Sequence, residues 1–282
     1  MNKTIKTLQN YKDSGKKIIS LTAYDYSTAK ILEETDVDFV LVGDSLAMVA
    51  LGHKDTLSIT MDEMIHHTKA VTRATPTTLV VADMPFMSYQ ADFIEAINNA
   101  ARFIKEAGAQ AVKLEGGTEH IIAVVKRLSE IGIPVLGHLG FTPQFINSFG
   151  GYFIQAKTSD KAELLLKQAR DLQEAGVFGI VLEMIPHDVA KFITENIDVP
   201  TIGIGAGPYC DGQILVIDDL LGKYSEFTPT FARKYANVAD ISKQAVTSYC
   251  KDVRSGNFPC EKKESFSLDT TEKQKLDLIK QV

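Results

Sequence analysis

The sequence predicts a single (β/α)8 barrel, a TIM barrel, over residues 1–256, followed by a polar C-terminal extension over 257–282. Three observations point there. Short apolar, β-branched runs alternate with amphipathic helical stretches, in eight strand–helix steps of ~25–30 residues each. Three helix–strand joints, EETDVDFVLV, KEAGAQAVKLE and QEAGVFGIVLE, resemble one another, which is the local form of a repeated αβ unit rather than a solenoid repeat. Finally, an acidic side chain closes five of the apolar runs: Asp25 after KIISLTAY, Asp44 after DFVLVG, Asp83 after TLVVA, Glu115 after AQAVKL and Glu183 after FGIVL. In a parallel barrel such positions meet at the C-terminal rim, where barrel enzymes do their chemistry. A doubly wound open sheet is the alternative arrangement of the same elements.

The first strand is expected from Lys17 to Thr22, with a helix following from about Ser27. Phe39 to Val42 is a continuous β-branched and aromatic run of the kind buried on both faces. A long loop, Gly43 to Ser58, precedes a helix whose start is marked by Thr60 as N-cap and Glu63 completing a capping box. Strand three is expected over Thr78 to Ala82, and Pro85 blocks simple continuation into helix. Phe93, Ile97, Ala100, Ala101 and Ile104 form an i, i+3/i+4 stripe on a helix from about Gln90 to Ala107, with Gly108 closing it. Strand four is Gln110 to Leu114, and a helix runs from Thr118 to near Gly132. Strand five, Pro134 to Gly137, leads into a long loop from His138 to Ser159. The helix Ser159 to Ala175, strand six at Phe178 to Leu182 and a short helix from His187 to Asn196 come next. Strands seven and eight are Thr201 to Ile204 and Ile214 to Ile217, and a terminal helical region runs from Thr228 to about Ser255. The extension after Gly256 is polar and charged, and no catalytic role is expected of it.

Bulk properties narrow the function classes. With 282 residues, 45% of them apolar and 23% charged, the chain can bury a large core without covalent staples. A net charge of −6 supplies no electrostatic reason to expect nucleic acid or an anionic membrane as partner. The three cysteines, Cys210, Cys250 and Cys260, are odd in number and make no zinc-type spacing, so free thiols in a reducing compartment are expected. The first residues carry no apolar signal core, and no apolar stretch reaches the ~18–20 residues of a membrane span. A cytoplasmic protein acting on small molecules is the expectation.

Among the rim carboxylates, Glu115 is the hardest to read as a turn residue. Lys113 stands two positions earlier, on the same face of the strand. Both therefore point into the helix layer, a poor place for two charges, or inward near the rim. Asp44, Asp83 and Glu115 are hard oxygen donors on adjacent strands with no Cys or HxxxH pair nearby, a set suited to Mg²⁺ or Mn²⁺ rather than zinc. Carboxylates so gathered repel one another unless a cation or protons compensate. Lys113 could bind a substrate carboxylate or form a Schiff base. Schiff-base chemistry needs a neutral amine, which neighbouring carboxylates oppose, so a charged, carboxylate-binding Lys113 is preferred. Glu183, across the barrel, is placed to take a proton from a carbonyl compound. His138 is a candidate hydrogen-bond donor to the site, and Asp25 a further acidic candidate. The run IGIGAG at 202–207 is a glycine loop that could bind phosphate or let backbone approach a bulky substrate, but it lacks the later glycine and acidic partner of the dinucleotide fingerprint.

The segments LTAYDYSTA, VGDSLAMVALGH, TMDEMIHHTKAV, VVADMPFMSY, GAQAVKLEGG, PVLGHLGFTPQ, GGYFIQAKT, IVLEMIP, IGIGAGPYCDGQILV and DLLG occur in that order up to about residue 260. In these segments the chain resembles the ketopantoate hydroxymethyltransferase (3-methyl-2-oxobutanoate hydroxymethyltransferase) family. The resemblance implies a (β/α)8 barrel, a homodecamer and Mg²⁺ dependence. It also implies transfer of a hydroxymethyl group from 5,10-methylenetetrahydrofolate to 3-methyl-2-oxobutanoate, a step of pantothenate biosynthesis. Asp44, Asp83 and Glu115 match the family's metal positions. Asp44, Ser45, Asp83 and Lys113 match its ketoacid-binding positions, and Glu183 its proton acceptor. Ala47 and Ala156 stand where the family usually has Gly. Two other readings are another metal–enolate barrel enzyme, of the phosphoenolpyruvate mutase or isocitrate lyase kind, and a non-catalytic barrel that senses a ketoacid or folate. The KKCGH-like loop of the lyases is absent from the sequence.

Overall fold

The computed structural model describes residues 2–223 and 229–279. Eight parallel strands close into a barrel in sequence order: β1 (Ile18–Thr22), β2 (Phe39–Val42), β3 (Leu79–Asp83), β4 (Ala111–Glu115), β5 (Val135–Gly140), β6 (Gly179–Glu183), β7 (Thr201–Ile204) and β8 (Gly212–Leu215), with β8 returning to pair with β1. Closure of β8 on β1 excludes the doubly wound alternative. Helix α1 (Ile5–Ser14) precedes the barrel. Around it stand α2 (Tyr26–Glu33), the short α3 (Leu46–Val49), α4 (Met61–Ala74), α5 (Phe93–Lys105), α6 (Glu119–Glu130), the short α7 (Ile146–Phe149), α8 (Ser159–Ala175), α9 (His187–Thr194) and α10 (Ile217–Leu221). Helices α11 (Val238–Ser255) and α12 (Thr270–Ile279) follow.

The strands are apolar on both faces because each face meets its own core. Val40, Val80, Val112, Val135 and Ile180 pack outward against helix residues such as Val71, Phe103, Val124 and Leu172. Phe39, Leu41, Leu79, Val81, Ala111, Leu136, Val181, Ile202 and Ile214 fill the barrel, and Leu8 of α1 belongs to the same cluster. Alternation along a strand carries the inward face to the rim. Leu79 and Val81 lead to Asp83, Ala111 leads to Lys113 and Glu115, Leu136 leads to His138, and Val181 leads to Glu183. Register then sets neighbours side by side: Asp83 opposite Lys113, Glu115 opposite His138, and Gly140 opposite Glu183.

Local signals place most helix starts. Thr60 and Glu63 form the expected capping box, with the Thr60 N–H donating to Glu63 Oε2 at 2.8 Å. Three differences from the sequence reading have physical causes. Strand β8 begins at Gly212, earlier than expected, because a Cβ there would lie 2.6 Å from the Ile18 carbonyl oxygen; only glycine lets β8 and β1 approach so closely. Strand β5 runs on to Gly140, and a 3₁₀ turn, Pro143–Phe145, leads from it into α7, so the segment expected as loop carries structure. The expected terminal helical start at Thr228 lies outside the described residues, and residues 229–237 are non-helical before α11. The extension after Gly256 contains α12, with no buried residue in it.

Candidate active site

The rim brings Asp44, Asp83, Lys113, Glu115 and His138 together as buried side chains, with Glu183 half-open beside them. Lys113 Nζ lies 2.8 Å from Asp83 Oδ1, 3.5 Å from Glu115 Oε1 and 3.2 Å from His138 Nδ1. The His138 ring joins the two acidic halves: Nδ1 is 3.3 Å from Glu115 Oε1, and Nε2 is 3.3 Å from Glu183 Oε2. Asp83 Oδ2 accepts from the Asp44 backbone N–H at 3.0 Å, which ties the β2 loop to β3. The Ser45 hydroxyl lies 2.8 Å from the Tyr24 hydroxyl. Lys113 and Glu115 thus share a face, as their two-residue spacing required, and that face is the inward one.

Asp25 does not join them. It is exposed and caps α2, accepting from the Thr28 N–H at 2.8 Å. Its position is a strand-end turn whose carboxylate serves the helix that follows. The IGIGAG glycines serve the protein's own side chains. A Cβ on Gly205, at φ +61°, would lie 2.8 Å from the Phe231 ring, and one on Gly207, at φ +78°, would collide with His187 Cβ. The loop therefore makes room for Phe231 and His187.

Two residues missed in the sequence hold the carboxylates in place. The Gln144 side-chain amide donates to Asp44 Oδ2 at 3.0 Å and to the Met84 carbonyl at 2.9 Å, and its backbone N–H donates to Glu115 Oε2 at 3.0 Å. Gln144 Oε1 accepts from the Tyr89 hydroxyl at 2.7 Å, and that hydroxyl accepts from the Glu115 N–H at 3.0 Å. Both are neutral, and both lie on segments with no periodicity; only their place in PVLGHLGFTPQ and VVADMPFMSY marked them.

The cluster is short of positive charge. Burial, then repulsion from Asp83 and Glu115, pushes the Asp44 carboxyl well above its usual range. Burial also raises Asp83, against the pull of Lys113. Burial opposes charge on Lys113, yet Asp83, Glu115 and Asp44 outweigh it and hold the ammonium charged. For His138, burial and Lys113 act downward and the Glu115 and Glu183 carboxylates act upward; the carboxylates prevail and lift it to about 9. A charged Lys113 suits carboxylate binding and disfavours a Schiff base.

These donors fit a hard divalent cation in chemistry. All are carboxylate oxygens, the excess negative charge calls for a counter-ion, and Asp83 Oδ1 is buried without a hydrogen bond although Lys113 Nζ lies near it. Among the described residues, no three His, Cys, Asp or Glu side chains are grouped to enclose an ion as they stand. Lys113 reaches between Asp83 and Glu115, and both Glu115 oxygens are engaged, by Lys113 and His138 on one side and Gln144 on the other.

The cluster forms one end of a cavity of about 480 Å³ that also reaches Leu215, Val216, Asp219 and Phe231. Such a volume suits a ligand larger than a short-chain acid. Among the described residues no helix is long and apolar enough to cross a membrane.

A family profile described as ketopantoate hydroxymethyltransferase matches residues 2–261. A protein of Clostridium botulinum named 3-methyl-2-oxobutanoate hydroxymethyltransferase is 52% identical over 269 residues, covering 95% of this chain and 97% of that one. One of the same name from Acetivibrio thermocellus is 53% identical over 269 residues, covering 95% and 94%. Among solved structures, phosphonopyruvate hydrolase in complex with oxalate and Mg²⁺ superposes with a TM-score of 0.62 at 13% identity, covering 100% of this chain and 97% of that one. A 2,3-dimethylmalate lyase of the PEP mutase/isocitrate lyase superfamily does so with a TM-score of 0.58 at 15% identity, covering 99% and 100%. The last two share the fold. The sequence relatives, alike nearly end to end, decide between the readings left open: the chain is an enzyme, a transferase, and belongs to the ketopantoate hydroxymethyltransferase family.

Proposed function

We propose that the protein transfers a hydroxymethyl group from 5,10-methylenetetrahydrofolate to 3-methyl-2-oxobutanoate, giving 2-dehydropantoate, with Mg²⁺ as its resident cation. The observation that supports this best is the pairing of a buried ammonium–carboxylate cluster with Glu183 facing it across His138. Asp44, Asp83 and Glu115 would hold the ion. When bound, Mg²⁺ supplies Lewis-acid stabilisation of charge developing on the keto oxygen.

The chain's own side chains do the rest. Lys113 and the Ser45 hydroxyl hold the ketoacid carboxylate, and Asp44 and Asp83 flank it. Glu183 removes the proton from C3 as general base. His138, with its Nε2 3.3 Å from Glu183 Oε2, holds that carboxylate toward the substrate. The methylene carbon of the donor is held by two C–N bonds. One breaks as its nitrogen takes a proton and water adds to the carbon. The other breaks as the C3 carbanion bonds to that carbon and the second folate nitrogen leaves with the bonding pair, so the water oxygen becomes the product hydroxyl. Gln144 keeps Asp44 and Glu115 apart and aimed, so the cluster is organised before substrate enters.

Deuterium exchange at C3 of 3-methyl-2-oxobutanoate, followed by proton NMR, tests this directly. Exchange is expected with wild type and Mg²⁺, with loss on chelation of the metal. Glu183→Gln should bind the ketoacid yet exchange at least about 100-fold more slowly. Exchange at the wild-type rate in that variant would remove Glu183 from the role of base.

A homodecamer and a cytoplasmic location remain part of the same proposal. The location rests on the sequence features given above, and the assembly on the family resemblance and on exposed apolar side chains along the two C-terminal helices, including Ile241, Val246, Tyr249 and Leu278.

A further inference from the structure

Beyond the acidic cluster, the cavity continues toward the rim where β8, β1 and β2 meet, between walls that include Met48, Leu215, Val216 and Phe231. Two polar side chains that line the cavity have no hydrogen-bond or ion-pair partner among the described residues. Asp219 is only 7% exposed; its backbone N–H donates to the Val216 carbonyl at 3.1 Å, but its carboxylate makes no hydrogen bond or ion pair among the described residues. Its neighbour Asp218, by contrast, is paired with Lys223 at 3.3 Å. The Thr56 hydroxyl is also buried with no hydrogen-bond partner. Neither group has a task in the ketoacid chemistry.

A carboxylate of a residue only 7% exposed, with no protein donor, is satisfied by what enters the cavity, and a ligand that displaces water there must bring donors of its own. The ketoacid cannot bring them. Its carboxylate and keto oxygens only accept, and its remaining surface is hydrocarbon. The ligand that satisfies Asp219 must carry N–H donors, side by side if both carboxylate oxygens are to be used. It must also be flat and largely apolar in body to fit between the aromatic and aliphatic walls. The pteridine of the one-carbon donor has this form, with an exocyclic amine next to a ring N–H on one edge.

We propose that Asp219, helped by the Thr56 hydroxyl, anchors the 2-aminopyrimidinone edge of the folate pteridine in the apolar half of the cavity. This rests on the function proposed above and adds the residues that select the second substrate. The division of labour is then spatial: the β2–β6 side of the rim handles the ketoacid, and the β8–β2 side reads the donor.

The test is calorimetric titration of Mg²⁺-loaded wild type, Asp219→Asn and Thr56→Val with tetrahydrofolate and with its 2-desamino analogue. Wild type should prefer tetrahydrofolate by about tenfold or more, and Asp219→Asn should lose about that much affinity together with the preference. Thr56→Val should show a smaller loss. In turnover, the KM for methylenetetrahydrofolate should rise in Asp219→Asn while that for the ketoacid stays the same. If wild type binds tetrahydrofolate and Asp219→Asn binds it equally well, the anchor assignment is wrong and the one-carbon reading stands. If wild type does not bind tetrahydrofolate, both fall. Should Asp219→Asn fail to fold, equal affinity of wild type for the two ligands would overturn the assignment without it.

Discussion

Lys113 and Glu115 show how much a single spacing can decide. Two residues apart on a strand, they share a face, and an inward face at the rim is the one place where both charges find partners. Asp83 and Glu183 follow the same rule, each ending an inward-facing column. Asp25 breaks it, because it lies beyond its strand, where a carboxylate caps the next helix. Gln144 and Tyr89 were not legible: neutral hydrogen-bonding side chains on irregular segments carry no periodic signal, and their partners are distant in sequence. Asp219 was equally hidden, since its isolation appears only when its surroundings are known. Burial, and then the Asp218 charge, lifts its carboxyl from 3.8 to about 6, while Lys234 acts the other way. A native carboxyl with a raised value binds more protons than the unfolded chain between those two values, so its contribution to stability is full below about pH 4 and is lost as pH rises through about 6. Asp219→Asn should remove that loss, so the variant should gain stability relative to wild type between about pH 4 and about pH 7. Denaturant midpoints at the two pH values check this; an equal difference at both would contradict it.

At the scale of elements, caps and apolar stripes were readable because they are local. Thr60 and Glu63 lie three residues apart and need nothing else to start α4. Strand ends were less readable, because register with neighbours extends or trims them. Gly140 shows why. Its φ of +95° and the collision of any Cβ with the Glu183 carbonyl make glycine necessary where β5 and β6 close together, and the Phe141 N–H then donates to that same carbonyl at 2.8 Å. Gly140→Ala should cost about 2–4 kcal/mol of stability and displace Glu183. A fall in turnover of about tenfold or more should accompany it, because a small misplacement of a base is expensive. Urea unfolding and steady-state rates measure both, and a variant with wild-type stability would refute the close approach. Ala156 sits at φ +53°, a left-handed position that glycine would occupy without strain.

For the whole molecule, the barrel accounts for the buried core, whereas α11 and α12 contribute no buried residue to it. Their apolar side chains, among them Tyr249, Val253 and Leu276, are exposed, as is Phe266 between the two helices. Apolar surface of this extent is stabilised by contact with another chain. Sedimentation velocity should therefore find a large homo-oligomer, a decamer on the family resemblance, and removal of residues 257–282 should shift the population toward smaller species. A monomer for the full chain at micromolar concentration would end that reading.

By itself the sequence determined the alternation of strands and helices, the (β/α)8 class and the acidic strand ends, because periodicity, capping and residue chemistry act over a few positions. Only the tertiary structure decided which carboxylates meet. Barrel closure and register placed Asp83 against Lys113 and Glu115 against His138, and drew Gln144 and Tyr89 between the acids. It also left the Asp219 carboxylate on the cavity wall with no hydrogen-bond or ion-pair partner among the described residues. Those outcomes depend on distances between residues far apart in the chain, which local patterns do not encode.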